Sequence, residues 1–349
     1  MKIFLLSLIY KTVRFTTTRI IYFFQNLFFM KKDLEPAVKI GDSALSSLQI
    51  IGSIVYDFHI PSGNDIEVFD LKFPSPLLGA SFKADTKILD IWLRMGLGGV
   101  IFKTIMKEKR QGNKKPRLQD AFVNNNYGLY NSLGLPGIGI KEFASYLEKS
   151  PLWDFKRPLG VSIGGNSEEE YLLNINFLDP HLQRINKQYF YELNISCPNT
   201  VNGQTICENP QALENLLKKI RGNNSTTLCV KISPDISNKK LVEIANVCES
   251  FDKVIINAGN TQFKKPVFVG VNLSDFSMPG GGLSGTPIFE RTLEMVQLLS
   301  NMKIPIMATG GISTINHVKL LKESGASLFG MASSLVLDPY CIPKIHSTL

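Results

Sequence analysis

The chain has 349 residues, 44% of them apolar, enough to build one large domain or two smaller ones around a substantial core. Its net charge of +8 is concentrated at one end: residues 1–32 carry six basic side chains and no acid, which leaves about +2 for residues 33–349. The body is therefore not an obvious polyanion binder, and no nucleic-acid partner is expected.

Five cysteines (Cys197, Cys207, Cys229, Cys248, Cys341) include no CxxC pair, and four scattered histidines (His59, His181, His317, His346) lack metal-ligand spacing. That pattern argues against a disulfide framework and against metal chemistry, and suits a reducing compartment.

Residues 3–10 (IFLLSLIY) and 20–30 (IIYFFQNLFFM) are apolar runs separated by Lys11, Arg14, three threonines and Arg19. Each falls short of the ~20 residues that a spanning helix needs, and no small-residue cleavage site follows the first run. Cationic, aromatic and acid-free, the segment is expected to lie on a membrane surface as an interfacial helix or helix pair. A helix packed on its own domain and a removable organellar transit peptide are the alternatives. Residues 1–50 are read as this hydrophobic helical extension and residues 51–349 as the catalytic domain.

From residue 75 onward, short β-rich runs recur: 75–81, 99–104, 159–164, 189–196, 226–233, 253–259, 305–311 and 328–334. Helical patterns lie between several of them, at 208–220, 237–249, 286–299 and 313–323. Continuous apolar strands followed by helices imply a parallel sheet covered on its outer side. Eight such units predict an α/β chain of the (β/α)8 TIM-barrel type, and no GxGxxG opens the first unit as a dinucleotide fold would require. Just ahead of the first unit, residues 55–73 alternate enough to predict a small strand pair closing the bottom of the barrel. Two connections, 105–158 and 260–304, are longer than the barrel needs and fall at the end where such barrels carry their sites.

The polar residues collect at the C-terminal ends of the predicted strands. Lys103 ends the second, Ser162 lies in the third, Asn194 and Cys197 end the fourth, Lys231 is in the fifth and Asn257 in the sixth. Gly310 and Gly311 end the seventh, and Ser333 with Ser334 ends the eighth. Closure would bring all of them to one mouth. Taken alone, Cys197 reads more often as an inert small hydrophobe than as a base. Lys231 in an apolar strand requires a partner or an anionic ligand. The glycines of the seventh strand and the small-residue turn of the eighth suit a barrel phosphate site, with backbone N–H groups and a helix N-terminus aimed at the anion. A phosphate grip, a lysine in the mouth and a cluster of amides describe a flavin mononucleotide (FMN) site.

With these residues in view, the chain resembles the dihydroorotate dehydrogenases over roughly residues 70–340. The motifs that carry the likeness are SPLLGAS (75–81), GNKKPRL (112–118), NSLGLPGIG (131–139), ELNISCPNT (192–200), VKISPD (230–235), GGLSG (281–285) and ATGGI (308–312). The resemblance implies oxidation of dihydroorotate to orotate in pyrimidine synthesis. Cys197 would take the C5 proton while hydride passes to the flavin. It makes Asn131, Asn194, Asn199 and Asn257 the substrate-binding amides. Lys231 becomes the flavin-edge lysine, and Lys103 or Thr104 a neighbouring flavin contact. Ser162, Gly282, Gly310, Gly311, Ser333 and Ser334 fall where the family holds the flavin and its phosphate.

Three departures from the family pattern matter. The cysteine, Lys103 and the VSIG turn (161–164) look like the soluble class, whereas the N-terminal segment and GNKKPRL look like the membrane class that reduces quinone. Quinone is the expected acceptor, with fumarate or NAD as alternatives. Ala258 follows Asn257 where the family has a hydroxyl residue, which would suit a barrel without catalysis, unless Asn260 and Thr261 take that role. Lys83 and Ala84 do not align with the first-strand lysine of the membrane class. A tRNA-acting flavin barrel of the dihydrouridine synthase type would need a basic body, and a homodimer is an allowed assembly.

Overall fold

The computed structural model describes residues 1–185, 187–196 and 206–349, so Cys197 and Asn199 lie outside the described residues. In chain order the strands are β1 (Ile66–Val68), β2 (Leu71–Phe73), β3 (Leu77–Gly79), β4 (Gly99–Ile105), β5 (Leu118–Val123), β6 (Asn126–Asn131) and β7 (Leu159–Ile163). They continue as β8 (Tyr189–Asn194), β9 (Leu228–Ile232), β10 (Val254–Ala258), β11 (Gln262–Lys264), β12 (Gly281–Gly285), β13 (Ile306–Thr309) and β14 (Leu328–Met331).

Strands β3, β4, β7, β8, β9, β10, β13 and β14 close into a parallel barrel in that order, the eight expected from the sequence. Side chains alternate across each strand. Val100, Phe102, Val161, Leu193, Val230, Ile256 and Ala308 face outward and pack against the helices. Their neighbours face the axis. At the lower level these are apolar: Leu78, Ile101, Phe190, Cys229, Ile255, Met307 and Leu328. The antiparallel pair β1–β2 adds Val68, Leu71 and Phe73 to that same cluster and plugs the bottom of the barrel, as the alternation in 55–73 predicts.

The two long connections are not independent loops. β5 and β6 form a hairpin, β11 and β12 another, and β12 pairs with β6, so that a four-stranded antiparallel sheet joins them. Sequence patterns within each connection did not reveal a sheet whose central pairing spans about 150 residues of chain. Cys207, Cys229, Cys248 and Cys341 are free and buried.

The N-terminal segment differs from a helix pair. The first apolar run and most of the second, through Leu27, belong to one helix, α1 (Lys2–Leu27), and the second helix, α2 (Glu35–Ser47), begins after both runs. The basic and threonine residues between the runs continue the helix because none of them breaks it. Helix α1 mixes polar and apolar contacts on its inward side and presents apolar side chains outward. On its inward side Ile3, Leu6, Tyr10, Ile21 and Tyr22 pack against apolar clusters. The polar groups there are tied down: Ser7 Oγ donates to Asp338 Oδ2 (2.7 Å), Tyr10 to the Val336 carbonyl (3.0 Å) and Arg14 to Asp120 Oδ1 (2.5 Å). Gln25 pairs with the backbone of Asp33 through both ends of its amide. Its outward stripe is Phe4, Leu5, Leu8, Ile9, Val13, Phe15, Ile20, Phe23, Phe24 and Leu27, all exposed. Among the described residues, no helix is long and apolar enough to cross a membrane.

Candidate active site

Above the apolar level, the inward positions turn polar. Two hydrogen-bonded chains cross the mouth. In the first, Asn260 Nδ2 donates to Ser196 Oγ (2.6 Å), which donates to Asn194 Oδ1 (2.9 Å). Asn194 Nδ2 then donates to Thr104 Oγ1 (2.9 Å), which shares a proton with Ser162 Oγ (2.9 Å). In the second, Lys231 Nζ donates to Ser81 Oγ (3.1 Å) and Ser81 donates to Glu192 Oε1 (2.5 Å). Glu192 Oε2 accepts from Asn257 Nδ2 (2.9 Å).

Local backbone explains how both Lys103 and Thr104 reach this layer. Along β4 and β7, Phe102 pairs with Val161 and Ile105 with Ile163, so two residues on β4 face one on β7. A bulge of this kind re-aims side chains. Without it, Thr104 would point into the outer core. Burial, with the cations of Arg117 and Lys83 nearby, pulls Lys103 down to about 8. Those two cations are tied to α2: Arg117 Nε donates to Glu35 Oε1 (2.5 Å), and Lys83 pairs with Asp42.

Asn131 and Gly282 are partners across the β6–β12 ladder, and Asn131 Nδ2 donates to the Gly282 carbonyl (3.4 Å). A Cβ on Gly282 would collide with Thr261 Oγ1, so this strand can approach the loop after β10 only without a side chain. The runs 112–118 and 131–139 form one unit, because Arg117 Nη1 donates to the carbonyls of Gln111 (2.8 Å) and Asn113 (2.9 Å) and Ser132 N donates to the Arg117 carbonyl (2.9 Å).

At the seventh and eighth barrel strands the chain makes a cradle. Gly310 (φ +143°) and Gly311 (φ +75°) take backbone conformations that a side chain resists, and a Cβ on Gly311 would lie 2.6 Å from Phe289 Cβ. Ser333 Oγ donates to Ser284 Oγ (2.8 Å), joining the eighth-strand turn to β12, and Ser334 is buried beside it. Thr309 Oγ1 and Asn257 Oδ1 are buried and have no hydrogen-bond partner. A buried polar atom left this way costs about 1–3 kcal/mol. Orphaned groups at two strand ends, beside a glycine cradle, fit a polar ligand held in the mouth. The donor and acceptor set suits a phosphate-bearing, amide-rich ring.

The structure thus brings Lys103, Thr104, Ser162, Asn194, Lys231 and Asn257 to one layer, with Gly310, Gly311, Ser333 and Ser334 at the adjoining strand ends and Asn131 and Gly282 on the neighbouring sheet. Sequence reasoning missed Glu192 and Ser81. The signal for Glu192 was available, since an acid inside the apolar run YFYELN demands a partner as Lys231 does. Lys231 Nζ lies 3.8 Å from Glu192 Oε1, so the partner asked of Lys231 is a residue of the chain itself. Ala258 faces the outer core, so its missing hydroxyl removes no side chain from the mouth.

A family profile described as Dihydroorotate dehydrogenase matches residues 65–349. The "Dihydroorotate dehydrogenase (quinone)" of Wigglesworthia glossinidia brevipalpis is 29% identical over 336 residues, covering 90% of this chain and 96% of that protein. The protein of the same name from Thermus thermophilus is 28% identical over 289 residues, 80% of each. The solved DHODH of Eimeria tenella in complex with ferulenol superposes with a TM-score of 0.74 at 20% identity, covering 88% of this chain and 89% of that one, a likeness of fold. With the profile spanning the whole barrel and its mouth, the chain belongs to the dihydroorotate dehydrogenase family.

Proposed function

We propose that this protein oxidises dihydroorotate to orotate, a step of pyrimidine synthesis, with FMN as its flavin and a membrane quinone as the final acceptor. The observation that carries the reading is the polar layer at the mouth, where amides, a lysine and unpaired acceptors converge above an apolar plug. FMN, when bound, supplies the hydride acceptor. Lys103, Thr104, Ser162, Lys231, Gly282, Gly310, Gly311, Ser333 and Ser334 are the groups proposed to hold it. Asn131, Asn194, Asn199 and Asn257 are proposed to hold the substrate's carboxylate and ring amides.

Cys197 is the proposed base for the C5 proton. A thiol's ordinary value near ~8.5 leaves few thiolates at neutral pH, so the site must favour ionisation when substrate is bound. Lys231 supplies positive charge where negative charge develops on reduction.

The quinone assignment rests on α1. A helix that ties down its inward polar groups and presents an apolar stripe outward is suited to a lipid surface, and exposed Lys2, Lys11 and Arg19 suit anionic headgroups. Helices α1 and α2 pack with Leu118, Leu129, Val336 and Leu337, at the mouth end of the barrel, so a lipid-dissolved oxidant would arrive on the side where the flavin is reduced. Residues 1–50 are accordingly the proposed membrane-attaching unit. Fumarate or NAD as acceptor is the second reading, favoured by Cys197 and Lys103.

Steady-state oxidation of dihydroorotate with quinone, fumarate and NAD in parallel tests both readings. Fastest turnover with quinone is expected. Flavin-loaded protein inert toward dihydroorotate with all three would end the proposal.

A further inference from the structure

Among the described residues, Glu192 is the only carboxylate in the buried set, and it is 0% exposed. Its hydrogen bonds to Ser81 and Asn257 leave it little freedom, and their direction has a consequence. An ionised carboxylate can only accept. An asparagine amide could in principle sit either way round, but facing Glu192 Oε2 at 2.9 Å it must present its nitrogen. That pins Asn257 Oδ1 on the opposite side, where it is buried without a partner on a residue that is itself 0% exposed. The same carboxylate accepts a hydrogen bond from the Ser81 hydroxyl, which leaves the Ser81 lone pairs to receive Lys231 Nζ. One acid thereby orients an amide, a hydroxyl and an ammonium on three other strand ends.

We propose that Glu192 is a positioning residue that fixes Asn257 as a hydrogen-bond acceptor for an imide N–H of a bound ring, and holds Lys231 as a tethered, partly compensated cation. The inference rests on the function proposed above and adds to it the polarity of recognition. Imide N–H groups occur in the pyrimidine substrate and in the flavin ring, and the experiment separates these sources. A ring offering a carbonyl at the same place would meet the Asn257 oxygen head-on and be rejected.

The test is Glu192→Gln in the full chain, which keeps shape and removes the charge. A glutamine can donate as well as accept, so Asn257 loses its fixed orientation. Three quantities are measured beside wild type: orotate affinity from the perturbation of flavin absorbance, FMN affinity of the flavin-free protein, and the flavin midpoint potential. Weakening of orotate or FMN binding by about 10-fold is expected, and whichever affinity falls identifies the ring. The midpoint potential should rise, because Lys231 is left uncompensated beside the reduced ring.

Ser81→Ala, a milder change, should shift the potential while leaving orotate affinity intact, since the Glu192–Asn257 contact survives. It carries the test should the glutamine variant fail to fold. Wild-type affinities and an unmoved potential in Glu192→Gln, or an unmoved potential in Ser81→Ala should the glutamine variant not fold, would overturn the inference. Failure of the wild-type protein itself to bind orotate would instead strike the functional reading on which it stands.

Discussion

Lys103 is half-buried beside two other cations, and the direction of its shift makes a testable demand on pH. Folded, it loses its proton near 8; its ordinary value is 10.5. Between those values the folded chain binds fewer protons than the unfolded one, so stability of the flavin-free protein should rise with pH from about 8 to about 10.5. Below 8 the cost of desolvating the ammonium is present in full. Lys103→Met should therefore stabilise the flavin-free protein at pH 7 and lose that advantage above pH 10.5, as chemical denaturation at both pH values would show. An anion held near Lys103 restores its charge, so FMN binding at pH 9 should take up protons, visible as a buffer-dependent calorimetric enthalpy. Cys197→Ser should retain FMN and lose about 10²–10⁴ in rate at neutral pH, because a hydroxyl is far harder to ionise than a thiol; a rate equal to wild type would remove Cys197 from the base role. Gly311→Ala imposes a side chain at φ +75° against Phe289, and should cost about 1–3 kcal/mol and weaken FMN retention, read from thermal melts and flavin stoichiometry.

Helix α1 presents the element-scale question. Deleting residues 1–32 removes the exposed apolar stripe and six positive charges but keeps α2 and its ion pairs to Lys83, Lys115 and Arg117. The truncated protein should keep flavin reduction by dihydroorotate, fail to sediment with anionic vesicles, and use quinone poorly. Unaltered quinone kinetics would reduce α1 to packing. Vesicle binding by the full chain should weaken with added salt, since each basic residue near an anionic surface contributes about 1 kcal/mol. The sequence made α1's apolar runs visible but not its direction of burial. That depends on Asp120, Asp338 and the Val336 carbonyl, which lie more than 100 residues away along the chain and supply the partners of its inward polar groups.

Across the molecule, the barrel was legible because each strand is a short apolar run and each helix has its own period, so the signal is local. All eight barrel strands lie within or overlap their predicted stretches, and the strand pair at the bottom falls where alternation placed it. What stayed hidden was non-local. The four-stranded sheet joining the two long connections needs β6 to meet β12, and the bulge that admits both Lys103 and Thr104 exists only as a mismatch between β4 and β7. The mouth followed the same division: residues at strand ends were evident, and an acid in the apolar run YFYELN signalled a partner, whereas which three strand ends Glu192 ties together is seen only in the closed barrel. The β1–β2 plug has a consequence for exchange. Stoppered below, the barrel is a cup and not a conduit, so whatever visits its rim of amides must depart by the way it came, and crowding at that rim slows arrival and departure alike.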